Sequence, residues 1–118
     1  VGIFAGFFCP CEAVHDHLET PKHYARALYN QQGATREQWV CLDKLWTAES
    51  HWNYKARNTN GGALGIAQAW PAEKYEVMGT DYKTNWQTQI RWGLLYIKLH
   101  WKNDACAALR NENWKGYY

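Results

Sequence analysis

Apolar residues recur along this chain at spacings of three and four, so helices are expected to dominate. Thr20 followed by Pro21 marks a helix start, because proline suits the first helical position. Tyr24, Ala27 and Leu28 then follow at helical spacing, and Gly33 ends the element. Thr35 with Gln38 has the spacing of a capping box and opens a second helix. That helix carries Trp39, Leu42, Leu45 and Trp46. Pro71 starts a short helix that Gly79 ends. Asn85 caps a longer one, with Trp86, Ile90, Gly93, Leu94, Ile97 and Trp101 on one stripe. A last helix is expected over roughly 104–111. The periodicity breaks after the second helix, where Asn58, Asn60, Gly61 and Gly62 give a turn signal. Leu64-Gly65-Ile66 is a short extended patch at most, one arm of a small hairpin.

The apolar face of the second helix contains one carboxylate. Leu42, Leu45 and Trp46 lie seven, four and three residues before Glu49, so all four side chains share that face. Burial against tryptophan disfavours the charged form, and the negative end of the helix dipole acts in the same direction. A carboxyl group still protonated near neutral pH is what general-acid cleavage of a glycosidic bond needs.

Composition narrows the reading. The chain has 118 residues, which fits one domain, and a net charge of +2. Its Lys and Arg are scattered, which argues against a nucleic-acid partner; a mildly basic protein still approaches an acidic polymer such as a bacterial cell wall favourably. Eight Trp and eight Tyr supply more flat amphipathic rings than a core needs, and such rings are natural platforms for sugars. No stretch is long enough to span a membrane. The run Ile3 to Phe8 is apolar but short and has no basic residues before it. It reads as the remnant of a processed segment or as a strand-like arm. Phe8 is too large for a lipid-attachment box at Cys9.

Cys9, Cys11, Cys41 and Cys106 permit three fully paired connectivities. Cys41 and Cys106 fall in separate expected helices, so their bridge would staple distant parts of the fold and favours an extracytoplasmic location. Pairing of Cys9 with Cys11 is less favoured, since one residue separates them. Cys9, Cys11, His15 and His17 also gather four metal-ligating types, but at tighter spacings than structural zinc uses. No metal and no cofactor are expected.

Two segments stand together: Glu49-Ser50-His51-Trp52 at a helix end, and Gly62-Ala63-Leu64-Gly65-Ile66-Ala67-Gln68 shortly after. This pairing resembles the lytic transglycosylases of the lysozyme-like superfamily, with an E-S motif followed by G-x-x-G-I-x-Q. The resemblance runs from about Trp39 to Tyr118 and is nearest to the small secreted or phage-borne actinobacterial type. It continues through Gln68-Ala69-Trp70-Pro71 and through the Q-x-x-W-G-x-x-Y-I stretch from Gln89 to Ile97. It implies a mainly α, lysozyme-like (α+β) domain over 34–118, with a glycine-rich loop or small hairpin beside the catalytic helix. Residues 1–33 would be an N-terminal extension or accessory helix.

The same resemblance implies roles for individual residues. Glu49 matches the catalytic acid/base, and Ser50 would help orient it. Gln68 matches a glutamine that contacts sugar, Tyr96 a tyrosine lining the cleft, and Ile66 part of the cleft floor. Gly65 would let the backbone approach the ligand. Cys41 and Cys106 match a cysteine pair in similar sequences. His51 replaces a common glycine and Gly61 a common serine. Neither Asn58 nor Asn85 is followed by the usual proline, and the tail Asn113 to Tyr117 lacks histidines often found there.

Ordinary glycosidases use two carboxylates flanking the scissile bond. The candidates Asp81, Glu73 and Glu76 all fall in a polar stretch that reads as solvated surface. Lytic transglycosylases need one acid, because the substrate's own C6 hydroxyl attacks. The expected activity is therefore cleavage of the MurNAc-GlcNAc β-1,4 bond of peptidoglycan glycan strands by a monomer, leaving 1,6-anhydro ends. The alternatives are a lysozyme-type hydrolase using water and a non-catalytic wall-binding module. A cysteine peptidase built on Cys41 is disfavoured, since that residue lies well inside its helix.

Overall fold

The computed structural model describes residues 19–59 and 61–118. The expectations for the Ile3–Phe8 run, Cys9, Cys11, His15 and His17 lie outside the described residues. Among the described residues four α-helices follow one another: α1 (Pro21–Gln31), α2 (Arg36–Ser50), α3 (Trp86–Trp101) and α4 (Ala105–Lys115). A 3-10 turn, Ala72–Val77, falls between α2 and α3 where the short helix after Pro71 is expected.

Each helix starts where a side chain satisfies an otherwise orphaned backbone N–H. Thr20 accepts from His23, Thr35 from Gln38, Asn85 from Gln87 and Asp104 from Ala107. The capping box at Thr35 closes on one side only. The Gln38 side chain does not return to Thr35; its Nε2 donates to Asp104 Oδ1 at 2.9 Å and its Oε1 accepts from the Cys106 backbone N at 3.3 Å. A local motif is thus spent on joining α2 to the start of α4.

The protein is mainly helical, and its core fills the space between the helices. Leu42, Leu45 and Trp46 of α2 share one core cluster with Ile90, Leu94 and Ile97 of α3, all fully buried or nearly so. Helix α1 joins this core through Ala25 and Tyr29, and packs on α3 and α2. The Tyr29 hydroxyl donates to Asn103 O at 2.7 Å and accepts from Ala105 N at 3.2 Å, which anchors the α3–α4 corner on α1. The Trp46 indole of α2 packs directly on Gly93 of α3: a Cβ there would sit 2.5 Å from Cζ2 of Trp46. The indole fills the space that any larger residue would need.

Cys41 and Cys106 form a disulfide with Cα atoms 4.9 Å apart, joining α2 to α4. No helix among the described residues is long and apolar enough to cross a membrane.

The glycine-rich segment between α2 and the 3-10 turn contains no strand among the described residues. Two isolated antiparallel bridges, Arg57 with Leu64 and Leu64 with Ala69, fold it into consecutive tight turns. Leu64 belongs to both, so its backbone is the pivot of the segment.

Candidate active site

Glu49 lies in the last turn of α2, half-buried, on the wall of a cleft of about 380 Å³. The chain turns away immediately after Ser50, because His51 (φ 54°) and Trp52 (φ 61°) are both left-handed. Consecutive non-glycine residues in this region are costly and persist only where packing dictates them. Here Trp52 is buried, with its ring 5.2 Å from that of Trp46 and 5.9 Å from that of Trp39. Its Nε1 donates to Asp43 at 2.9 Å, fixing the indole from the polar side.

The turn segment comes back against this helix end through buried hydrogen bonds. The Ser50 hydroxyl lies 2.7 Å from Ile66 O, its acceptor, with Trp46 O at 3.2 Å as a second. Ser50 therefore ties the helix end to the segment opposite Glu49. Gln89 of α3 does so from the other side. Its fully buried amide accepts from Ile66 N at 2.9 Å and donates to Tyr54 O at 3.0 Å and Tyr82 O at 2.8 Å. Gly65 (φ +83°) lies directly over this amide, and a Cβ there would collide with the Gln89 side chain.

One amide thus fixes three backbone positions in the loops that support the cleft. Replacing Gln89 by leucine leaves those groups buried and unpaired, at about 1–3 kcal/mol each before relaxation. We expect Gln89→Leu to lose about 3 kcal/mol of stability, read from urea unfolding curves. A loss under about 1 kcal/mol would show that the segment holds its shape without the strut.

The expected site residues separate into two groups. Glu49, Gln68 and Tyr96 line one cleft. Ser50, Gly65 and Ile66 lie beneath it: all three are buried, Ile66 completely, and they form its support rather than its exposed floor. Gln68 is held in a left-handed conformation (φ 55°), with its Nε2 donating to Gly65 O at 3.0 Å and Ala56 O at 3.2 Å. Both amide protons are used on the backbone, and the side-chain oxygen is the acceptor that remains. The Tyr96 ring stacks between Trp92 (5.2 Å) and His100 (4.3 Å), while its hydroxyl donates to Tyr118 O at 2.9 Å.

Other rings complete the walls. Trp70 and Tyr117 both line the cleft and are 64% and 62% exposed, so their faces are open to a ligand. Lys74 is the cation on the cleft wall. Tyr118 seals the inner end, its hydroxyl donating to Ala67 O at 2.8 Å and accepting from Trp46 Nε1 at 3.1 Å.

Electrostatics single out Glu49. Burial pushes its carboxyl well above the ordinary carboxylate range, and hydrogen-bond contact with the Glu112 carboxyl raises it further. Glu112 lies on α4, and its Oε2 is buried with no donor among the described residues. This second carboxylate was not among the sequence candidates. Asp81 instead sits at the start of α3, accepting from Asn85 Nδ2 and Thr88 Oγ1, both at 2.8 Å, and those bonds lower its pKa. Glu73 and Glu76 are exposed. The expected end of the last helix near 111 left Glu112 in the tail; the helix reaches Lys115. A signal was present, because Ala105, Ala108, Leu109 and Glu112 follow an i, i+3, i+4, i+7 pattern.

No family model, curated protein or solved structure matches the chain.

Proposed function

We propose that this chain is a peptidoglycan-cleaving lytic transglycosylase of lysozyme-like fold, acting on MurNAc-GlcNAc β-1,4 bonds outside the cytoplasm as a monomer. The observation that carries the proposal is a half-buried carboxyl group on the wall of an aromatic cleft, its pKa raised by burial. Exposed Trp70 and Tyr117 offer stacking faces for sugar rings, and Gln68 offers an acceptor for a sugar hydroxyl or acetamido N–H. The Cys41–Cys106 bridge is compatible with an oxidising compartment.

In this mechanism Glu49 gives its proton to the glycosidic oxygen as the bond to the anomeric carbon breaks. The resulting carboxylate takes the proton of the muramic C6 hydroxyl, whose oxygen closes on the anomeric carbon. The product is a 1,6-anhydro end, and Glu49 is reset. Glu112 does not serve as the second acid of an ordinary glycosidase. Such pairs flank the scissile bond from opposite sides, whereas Glu112 is not among the residues that line the cleft and its Oε2 is buried.

Product analysis tests the reaction type. Purified cell walls are digested and the released muropeptides weighed. We expect ends one water lighter than hydrolytic products; hydrated reducing ends throughout would replace this reading with a lysozyme-type hydrolase.

A further inference from the structure

We infer that Glu112 is a positioning residue for the acid: across the α2–α4 seam, the Glu49 and Glu112 carboxyl groups share a single proton that Glu112 holds on Glu49. The inference rests on the reading of Glu49 as the acid/base. Two carboxylate oxygens cannot occupy hydrogen-bond contact with no proton between them, since both are acceptors and both are charged. A proton placed there gives Glu112 a donor, on a carboxyl whose Oε2 is buried with none among the described residues.

The tyrosine hydroxyls of the core and cleft donate elsewhere. The Tyr75 hydroxyl, from the 3-10 turn, donates to Leu64 O at 2.6 Å. The Tyr96 hydroxyl, from α3, donates to Tyr118 O, and the Tyr118 hydroxyl donates to Ala67 O. Both Tyr75 and Tyr118 feel the charge of Glu49 and have raised pKa values, burial being the first cause in each. Lys74 is exposed on the cleft wall, and Arg110 on α4 acts on Asp104. Among the described residues the salt bridge formed joins Lys22 of α1 to Asp43 of α2 and includes neither carboxyl of the pair.

The arrangement serves both halves of the cycle. Before cleavage, the shared proton keeps Glu49 in its acid form. After Glu49 passes that proton to the leaving oxygen, two negative charges face each other in a half-buried seam. That repulsion makes Glu49 a stronger base toward the C6 hydroxyl, and proton return restores the singly charged pair. Glu112 exchanges no atom with the substrate.

Glu112→Gln is the test. Its amide can donate to the Glu49 carboxylate and so favours the charged form. With 13C-labelled glutamate, NMR titration should show the Glu49 carboxyl ionising at least about one pH unit lower in the variant. The alkaline limb of kcat/KM for wall lysis should move the same way, with activity at pH 7 down about tenfold. Glu112→Asp should restore part of both. A Glu49 titration identical in wild type and variant overturns the inference, as does a uniform loss of rate without a shifted limb. A shifted titration in a protein that never lyses walls supports the pair and sinks the enzymatic reading instead. If Glu112→Gln does not fold, the wild-type titration decides: linked two-step curves for both carboxyls support a shared proton, and independent single steps overturn it.

Discussion

Glu49→Gln is expected to reduce wall lysis by about 10³-fold, and at pH 8 to leave a folded protein more heat-stable than the wild type. General acid–base catalysis contributes about 10²–10⁴ in rate, and here one group performs both transfers, so an amide of equal size removes them together. The stability gain follows from the raised pKa. A carboxyl whose folded pKa lies above its unfolded value contributes stability that is present below the ordinary value of 4.5, and that stability is lost as pH rises toward the folded pKa. The native state at pH 8 therefore bears the strain of a group that resists ionising, and glutamine carries no such group. The cleft mouth is open and water screens part of the effect, so the expected rise is on the order of a few degrees in Tm. It should vanish at pH 4. Equal lysis by both forms would remove the catalytic assignment and leave a wall-binding module. A stability gain that persisted at pH 4 would mean the substitution acts through packing rather than charge.

The helices were legible because each begins with a short polar side chain that has one dominant use. Thr20, Thr35 and Asn85 all cap in the structure as their positions suggest. What was not legible arose where tertiary contacts override local pattern. Gln38 completes a capping box on paper, yet its amide bridges to Asp104 and Cys106, residues more than sixty positions away. Gln89 is visible in the sequence only as the first residue of the Q-x-x-W-G-x-x-Y-I stretch; its three backbone partners at positions 54, 66 and 82 belong to loops whose paths carry no periodicity. The last helix is expected to end near 111, short of Glu112. Lys115 and the left-handed Gly116 end it one turn later. That one turn contains the second carboxylate, so an error of a few residues at a helix end concealed the partner of the most informative residue in the chain. Glu49 itself was legible for the opposite reason: its neighbours at seven, four and three residues upstream are local, and helical geometry alone puts them together.

Removing the Cys41–Cys106 bridge is expected to cost about 4 kcal/mol and about 15 °C in Tm, and to impair catalysis beyond what unfolding explains. The bridge spans 65 residues, and closing a loop of that length restricts the unfolded chain by about 4 kcal/mol in the loop-entropy treatment. Its position adds a second effect. Cys41 stands eight residues before Glu49 on α2, and Cys106 six residues before Glu112 on α4. The disulfide therefore pins the same two helices whose carboxyl groups meet at the cleft. Without it, the start of α4 is held by Gln38 of α2, by small buried residues such as Ala105 and Ala108, and by the Tyr29 hydroxyl of α1. Beyond its far end Tyr118 stays tied to Trp46, Ala67 and Tyr96, so the helix is expected to tilt about that anchor and draw Glu112 away from Glu49. The double variant Cys41→Ala, Cys106→Ala should fold at 25 °C. Its alkaline limb for lysis should shift toward acid in the direction expected of Glu112→Gln, because a loosened Glu112 no longer holds the proton on Glu49. A variant that loses stability as stated but keeps the wild-type pH profile would show that the carboxyl pair is aligned by local packing and not by the covalent bridge.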